Sequence, residues 1–502
     1  MRRSWTGLTL LLACTQASPS GDEVASSESA ASESESDGSA SETGPACEPT
    51  PETCASPLDE DCDGSAICDP SETFAWLRVL GTEGFSHGTA IDVAPDGTLW
   101  IGGELDGTID VVGEPISALA NRGRNLFVAR LDGDGQGLGA SAYLGFDDAA
   151  LIDLALDSQG EATILGTFSG GLDLGGGGLP GPEFPEQQVF LAGYGPTGEH
   201  RFSRTWIGSR DAGALAIGPD DRRIITGRSA AGLLDLGGGA LPETSFLASF
   251  DALGQHQWSR SFDLGAPAVA RGLAIAADGS IFVLADYAAT SIDLGGVALE
   301  GDGSDLVLAR FDASGVPLWA ERSTCDSCRA HDLVQLDDGD LLLVARFASS
   351  FAIADQSLEF PASARSIAFA RLDPQGQPRW LIGIPDATGE SRSGANARAI
   401  ADAAGNAFLA LDMAGSHDLG LGPLSSPGLG SNIFVLEQSP LGQPRWSQRY
   451  GGVDPSEVDA IALDDQGGLI MTGLSSGTID FGGGEQLLDS PPKAFVVRLA
   501  PP

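Results

Sequence analysis

Basic residues are scarce in this sequence. Its 502 residues contain 27 Lys and Arg against 70 Asp and Glu, which gives a net charge of −43, and Lys493 is the only lysine. A surface this acidic repels phosphate backbones, so we expect no nucleic acid partner. With a single lysine that no GxxxxG precedes, the sequence also excludes a nucleotide-binding loop of the GxxxxGK[ST] type.

Long hydrophobic runs are missing as well. No apolar run reaches the ~18 residues that a membrane-spanning helix needs. A short run, Leu8–Ala13, follows Arg2 and Arg3 and ends at Cys14. A charged start followed by a short apolar run predicts a signal peptide over residues 1–13.

The end of that run, Leu11-Leu12-Ala13-Cys14, resembles the bacterial lipobox. The resemblance implies that the thiol of Cys14 carries lipid and becomes the new N-terminus. Since Thr15 and not Asp follows, it further implies an outer-membrane or cell-surface location in a Gram-negative cell envelope, with the lipid as the only membrane contact. The alternative is an ordinary secretory signal with an incidental Cys14.

Large apolar side chains are nearly absent from residues 14–46, which are rich in Ser, Glu, Ala and Gly. Between Arg3 and Arg78 the sequence has no basic residue. Such a segment cannot bury enough apolar surface to fold, and its like charges repel each other. The sequence therefore predicts a disordered acidic linker between the lipidated Cys14 and the rest of the chain.

Cysteines are few, and they fall in two groups. If Cys14 is set aside, the even number that remains indicates disulfide bonds outside the cytoplasm. Sequence alone does not choose among the three pairings that the first four allow. The disulfide candidates are Cys47, Cys54, Cys62, Cys68, Cys325 and Cys328.

The acidic Cys-rich segment over residues 47–70 contains Asp59-Glu60-Asp61-Cys62-Asp63-Gly64. This stretch resembles the Asp-Cys-Asp-Gly repeats described as metal-binding in secreted bacterial proteins. The alternating carboxylates of Asp59, Asp61 and Asp63 also match the start of a calcium loop, although the twelfth position holds Pro70 where such a loop has Glu. Two interpretations stay open: a Ca²⁺ site on the three aspartates, or a disulfide-stapled acidic linker without a cofactor.

From about residue 71 to residue 502 the sequence is periodic. The stretch Leu306–Trp319 reads as a strand, an Asp-x-x-Gly turn and a second strand, and similar phrases recur six more times at intervals of about 60 residues. Each repeat holds about four short strands. Four-stranded units repeated seven times predict an all-β fold, a seven-bladed β-propeller. A stacked β-solenoid is the alternative.

The last repeat supplies only three strands. An extra strand stands before the first repeat at Phe74–Leu80 and carries Trp76. We therefore expect strand 74–80 to pair with the C-terminal repeat and close the ring. The repeats resemble those of β-propellers in bacterial surface proteins, including lipoproteins of this layout, and this resemblance implies a fold more than a function.

Several polar residues are candidates for sites. Cys325-Asp326-Ser327-Cys328 is predicted to be a structural disulfide, and His87 and His331 are placed on crossing loops that face one rim. Seven aspartates recur in the Ile-Asp-Leu-Gly-Gly-Gly phrase, where each is expected to accept hydrogen bonds within its own turn. These aspartates are Asp110, Asp173, Asp235, Asp293, Asp355, Asp418 and Asp480.

No catalytic residue is predicted. The sequence favours a non-catalytic binding or interaction scaffold for an envelope protein or a glycan. The alternative is an envelope hydrolase or lyase with its active site at the mouth of the propeller channel, which requires an uneven cluster of acidic, His or Arg residues there. Blade 5, with its two cysteines, and the insertion at 113–124 are where the repeats differ most.

Overall fold

A computed structural model describes residues 68–501, except 119–122, 184–185, 231–233, 266–267, 288, 302–304, 362–364, 387–395 and 429. Almost all of its regular structure is β-strand, after one turn of 3-10 helix at Pro70–Glu72. None of its helices has the length and apolar character needed to cross a membrane.

The strands follow each other in antiparallel hairpins. In chain order they are β1 (Phe74–Val79), β2 (Gly81–Val93), β3 (Leu99–Ile109), β4 (Ile116–Ala118), β5 (Asn125–Leu131), β6 (Gly137–Tyr143), β7 (Ala149–Leu156), β8 (Ala162–Phe168), β9 (Gly171–Asp173), β10 (Gly178–Pro180), β11 (Gln188–Tyr194), β12 (His200–Thr205), β13 (Ser209–Ile217), β14 (Arg223–Ser229), β15 (Ser245–Phe250), β16 (His256–Phe262), β17 (Ala270–Ile275), β18 (Ile281–Tyr287), β19 (Ser291–Asp293), β20 (Ala298–Glu300), β21 (Asp305–Phe311), β22 (Pro317–Cys325), β23 (Arg329–Gln335), β24 (Leu341–Phe347), β25 (Ser350–Ile353), β26 (Gln356–Glu359), β27 (Ser366–Leu372), β28 (Pro378–Ile384), β29 (Ala397–Ala401), β30 (Ala407–Met413), β31 (Ser416–Asp418), β32 (Pro423–Ser425), β33 (Asn432–Gln438), β34 (Pro444–Tyr450), β35 (Ser456–Leu463), β36 (Leu469–Ile479) and β37 (Gln486–Leu499).

Twenty-eight of these strands form seven four-stranded blades, as the repeats predicted. From the innermost strand to the outermost, the blades are β2-β3-β5-β6, β7-β8-β11-β12, β13-β14-β15-β16, β17-β18-β21-β22, β23-β24-β27-β28, β29-β30-β33-β34 and β35-β36-β37-β1. The chain is a seven-bladed β-propeller, and the prediction of the fold is confirmed.

The second and third strands of each blade are buried on both faces, so their sequences are almost continuously apolar. In β24, Leu341–Phe347, six of the seven residues are buried. The buried side chains form seven clusters, and each cluster joins two neighbouring blades. The core is therefore a ring of interfaces between blades.

The ring closes through β1, as expected. Strand β1 pairs antiparallel with β37, from Phe74 opposite Leu499 to Val79 opposite Phe495. Trp76 donates a hydrogen bond from Nε1 to the Gly133 carbonyl at 3.0 Å and packs on Gly135, the turn glycine of blade 1. Trp258 and Gly315 make the same contact between blades 3 and 4. Strand β1 is thus the outer strand of blade 7.

The loops between second and third strands fold into small hairpins at the periphery of the ring. The hairpin β9–β10 has its Leu172 opposite Gly145 of the preceding blade, and β25 adds to the outer edge of β22. Leu172 and the corresponding Ile292 are buried. Because radially arranged blades splay apart outward, we interpret these hairpins as filling the wedges between them.

Candidate functional site

Part of each inner strand lines one mouth of the central channel. This mouth holds a cavity of about 440 Å³, to which all seven blades contribute, and that volume is typical of a small-molecule site. The side chains differ from blade to blade. Blades 1 to 7 supply, among others, Thr89, Ile152, Gly213, Arg271, His331, Arg398 and Asp459.

Three arginines stand on one side of this cavity: Arg271 of blade 4, Arg329 of blade 5 and Arg398 of blade 6. Arg398 donates from Nε to the Asp459 carbonyl at 2.7 Å and from Nη1 to the His331 carbonyl at 3.3 Å. Arg271 and Arg329 are exposed, and within the described part of the chain neither lies in an ion pair with a carboxylate. This side therefore offers uncompensated positive charge in a very acidic protein.

His331 lies within the arginine side. Burial, together with the charges of Arg398, Arg346, Arg329 and Arg271, lowers the pKa of His331 to about 3. The imidazole is neutral at physiological pH. Its Nε2 is buried and has no hydrogen-bond partner among the described residues, although an unsatisfied buried polar atom is costly.

The adjoining side, formed by blades 6, 7 and 1, carries acidic residues. Asp459 lines the cavity, and its carboxylate lies 2.7 Å from His87 Nε2 and accepts from Asn396 Nδ2 at 3.2 Å. Burial acts to lower the pKa of His87, but the hydrogen bond and charge of Asp459, with the charges of Glu104 and Glu457, raise it above its ordinary value. The Asp459 carboxylate thus favours the protonated form of His87.

Behind Asn396 lies a fully buried carboxyl group, Asp412. Its Oδ1 accepts a hydrogen bond from the Asn396 backbone N–H at 2.9 Å, and its Oδ2 has no partner among the described residues. Burial, followed by the charges of Glu457 and Asp459, raises the pKa of Asp412 well above its usual range. The carboxyl groups on this side are thus close enough to repel one another.

Two other aspartates at the cavity have a structural role. Asp153 accepts hydrogen bonds from the backbone N–H of Leu154 and, across to blade 3, of Leu215, both at 2.8 Å. Asp332 makes the same bridge from blade 5 to Ala399 of blade 6. Burial raises the pKa of Asp153 to about 7. These carboxyl groups tie neighbouring blades together around the channel.

The repeated aspartates lie in the peripheral hairpins, away from the channel. Asp173 accepts from the N–H groups of Gly175 and Gly177 at 2.9 and 3.1 Å, and Asp235, Asp293, Asp418 and Asp480 make equivalent turns. Asp110 likewise accepts from the Gly113 N–H at 2.7 Å. For these six residues the predicted turn role is confirmed.

Of the cysteines, Cys325 and Cys328 form the predicted disulfide. Cys68 is disulfide-bonded and packs in the cluster between blades 6 and 7. The remaining predicted residues, Cys14, Cys47, Cys54, Cys62 and the aspartates Asp59, Asp61 and Asp63, lie outside the described residues. Within the described part, no group of three or more His, Cys, Asp or Glu residues is arranged to hold a metal ion.

The placement of the two histidines was partly wrong. His331 lines the cavity and His87 contacts Asp459, which also lines it, but the two histidines lie in strands β2 and β23 and not in crossing loops. The arginines were missed altogether. The signal that could have revealed this cluster is one equivalent position of the inner strands, at which the residue type changes from blade to blade. In different blades this position holds Ile152, Gly213, Arg271, His331 and Asp459.

No protein-family model matches the sequence, and no curated protein matches it. Among solved structures, an ulvan lyase of a new polysaccharide lyase family superposes with a TM-score of 0.45 at 8% identity, over 85% of this chain and 96% of its own. A protein from Lactobacillus plantarum gives 0.43 at 10% identity, over 76% and 96%, and the phage phi92 endosialidase gives 0.37 at 10%, over 85% and 69%. Similarity at this level carries no information on activity or ligand.

Proposed function

We propose that this protein is a cell-envelope lipoprotein whose propeller is a non-catalytic binding scaffold for a protein or glycan, and that its channel mouth holds an anionic group of that partner. The observation that carries the proposal is the pair Arg271 and Arg329, which face the cavity without a described carboxylate partner. A bound carboxylate or sulfate would accept charge-assisted hydrogen bonds from their guanidinium groups.

His331 favours binding over catalysis. A general base works best when its pKa lies near the working pH, and a pKa of about 3 makes this imidazole a weak base. His87 is held by Asp459. Both histidines are better suited to hydrogen bonding than to proton abstraction.

The proposal is tested by titrating the full chain with an oligoglucuronate and with an acidic peptide in a calorimeter. We expect one of them to bind, and we expect Arg271→Gln with Arg329→Gln to weaken it by at least tenfold. The matched control is Arg260→Gln, an exposed arginine on β16 of blade 3 that does not line the cavity. Equal affinities for both variants would contradict the proposal.

A second measurement follows the histidine itself. A bound anion offsets the positive charges around His331, so its pKa should rise from about 3 when the ligand is present. NMR titration of the imidazole with and without the anionic probe measures this change. An unchanged His331 pKa at saturation would place the bound anion elsewhere.

The hydrolase or lyase interpretation is retained as the second candidate, because the cluster at the mouth is uneven, as that interpretation requires. The discriminating variant is His331→Gln, assayed for cleavage of acidic polysaccharides and for binding. Turnover by the unmodified protein that is lost in a variant with intact binding would favour the enzyme. Binding without turnover would favour the scaffold.

The anchor is tested separately. We expect Cys14→Ser to release the protein from the membrane fraction and to abolish incorporation of labelled fatty acid. The lipid is then the attachment, and the acidic linker over residues 14–46 is the tether. Unchanged fractionation of this variant would point to the ordinary secretory signal.

A further inference from the structure

Blade 1 lacks an aromatic side chain that most other blades carry. In five blades a ring on the outer strand packs against a glycine in the turn between the third and fourth strands of the next blade. These pairs are Phe202–Gly254, Trp258–Gly315, Trp319–Gly376, Trp380–Gly442 and Trp76–Gly135. In blade 1 the corresponding residue of β6 is Gly139, and the turn glycine of blade 2, Gly198, lies against Arg130 instead. The interface between blades 1 and 2 therefore has one ring fewer than the others.

A cavity of about 200 Å³ lies at this place. Gly139 and Gly198 line it together with Trp100, and it is bordered by Ser141 and Thr197, which are exposed. A cavity of about 150 Å³ is large enough to hold a benzene ring. The space between blades 1 and 2 thus matches one aromatic side chain and can be reached from solvent.

Arg130 also lines this cavity and differs from its counterparts in the repeat. Elsewhere the arginine at this position lies opposite a tryptophan and forms an ion pair with an aspartate, as in Arg310, Arg371 and Arg498. Arg130 lies opposite Gly139 and donates from Nη1 to the Pro196 carbonyl at 2.9 Å. It forms no ion pair with a carboxylate of the described residues. Its guanidinium carbon lies 5.5 Å from the centre of the Trp100 ring.

We propose that this cavity is a second binding site and that it takes one aromatic side chain of a partner protein, an indole or a phenyl ring, stacked on the guanidinium of Arg130 beside Gly139 and Gly198. The five filled interfaces show that a ring of this kind fits against this turn. A guanidinium attracts the face of an aromatic ring, and inserted aromatic side chains commonly anchor protein interfaces. The inference is independent of the channel mouth and favours a protein over a glycan as the partner of this site.

Other occupants suit the site less well. Residues 14–67 contain no Phe, Tyr or Trp, so that part of the chain cannot supply the ring. A sugar stacks its C–H face on an exposed aromatic face, whereas Trp100 is only 1% exposed. The charges of Glu199 and Asp96 act on Arg130, which disfavours an anionic group beside it. A neutral ring meets none of these objections.

The test uses the full chain with arginine side chains labelled for NMR, because a single inserted side chain binds weakly. The probes are N-acetylated, C-amidated Gly-Trp-Gly, Gly-Phe-Gly and Gly-Leu-Gly, with methyl glucoside as the sugar. We expect the two aromatic peptides to bind about fivefold or more tightly than the leucine peptide, since only a ring gains from the cation. The ring should also shift the Nε–H signal of Arg130, which is assigned by its loss in Arg130→Gln.

The decisive variant is Gly139→Trp, which gives blade 1 the residue that the other blades carry. The new Cβ would approach Arg130 Nη2 at 2.9 Å, and this end of a long side chain can shift. We expect binding of the tryptophan peptide to weaken by about tenfold or more, with the melting temperature unchanged or raised. The matched control is Leu138→Trp, which adds the same ring at a neighbouring exposed position that does not line the cavity, and it should leave binding unchanged.

Arg130→Gln supplies a second variant if Gly139→Trp does not fold, and it should weaken binding of the tryptophan peptide by about threefold or more. Equal binding of the tryptophan and leucine peptides, or binding that neither variant weakens, would overturn the inference. Tighter binding of methyl glucoside than of any peptide would overturn the choice of an aromatic side chain. Self-association in sedimentation that Gly139→Trp abolishes would assign the site to a second copy of this chain and overturn the choice of a different partner.

The channel variants separate this site from the proposed function. Arg271→Gln with Arg329→Gln should leave binding of the tryptophan peptide unchanged, because neither arginine lines this cavity. Gly139→Trp should likewise leave binding of an anionic probe at the channel mouth unchanged. If the channel variants abolished binding of the tryptophan peptide, the ring would bind at the mouth and the inference would be wrong.

Discussion

The peripheral hairpins and the channel mouth of this propeller use the same kind of residue in opposite ways. In the hairpins an aspartate recurs at one place, as Asp173 and Asp293 show, and it accepts hydrogen bonds from the glycines of its own turn. At the mouth, one position of the inner strand changes from Arg271 to His331 to Asp459. What every blade repeats serves the architecture, and what differs among blades is available for recognition.

The variant with the largest expected effect on stability opens the ring of blades. Deletion of residues 72–79 removes β1 and leaves β37 as an unpaired outer edge. We expect a loss of roughly 5 kcal/mol or more in the free energy of unfolding, a large share of the stability of an ordinary domain. Guanidinium and thermal unfolding measure it, and an unchanged midpoint would exclude closure by this strand.

A matched pair of variants checks that β1 is an ordinary outer strand. Trp76 packs on Gly135 as Trp258 packs on Gly315, so Trp76→Ala and Trp258→Ala should lower stability to a similar extent. If Trp76→Ala is nearly neutral while Trp258→Ala is not, β1 contributes little to the ring.

The next effect contrasts a channel aspartate with a peripheral one. The pKa of Asp153 is raised by burial to about 7, so between about pH 4 and pH 7 the folded state binds more protons than the unfolded state and stability falls as pH rises. Asp153→Asn removes this dependence. At pH 4 we expect Asp153→Asn to be less stable than the unmodified protein by about 1–3 kcal/mol, because an amide nitrogen cannot accept the hydrogen bond that the carboxyl oxygen accepts. This difference in stability should shrink as the pH rises to about 7.

The contribution of Asp293 to stability should depend on pH with the opposite sign. Backbone hydrogen bonds from Gly296 and Gly295 lower its pKa, so its contribution is present above the ordinary carboxyl pKa and is lost as the pH falls toward the folded value. We expect Asp293→Asn to lower the melting temperature by no more than about 2 °C at pH 7, and by less at pH 3. Parallel pH profiles for the two variants would contradict the contrast drawn between the channel and the periphery.

The sequence predicted the features that recur from blade to blade and missed most of the features that differ among blades. The seven-bladed fold, the closing strand with Trp76 and the turn role of Asp173 or Asp293 each follow from a phrase that recurs. The channel cluster does not, because Arg271 and Arg398 are 127 positions apart in the numbering and only closure of the ring brings their strands to one mouth. His331 stands out in the sequence by its residue type, but its neutral state depends on its burial and on four arginines that lie near it in space.

The variant with the smallest expected effect on stability also distinguishes the channel mouth from the peripheral hairpins most sharply. Arg329 is exposed, and its charge, with that of Arg365, acts on Arg346, whose pKa is lowered chiefly by burial and then by these two neighbours. Removing one of several like charges relieves repulsion, so Arg329→Gln should change the free energy of unfolding by no more than about 0.5 kcal/mol, with a gain as the favoured direction. The same variant should weaken binding of an anionic probe. A residue whose removal leaves the fold intact and costs affinity belongs to recognition. If Arg329→Gln instead destabilised the protein by several kcal/mol, the arginine side of the mouth would be part of the architecture, as the peripheral aspartates are.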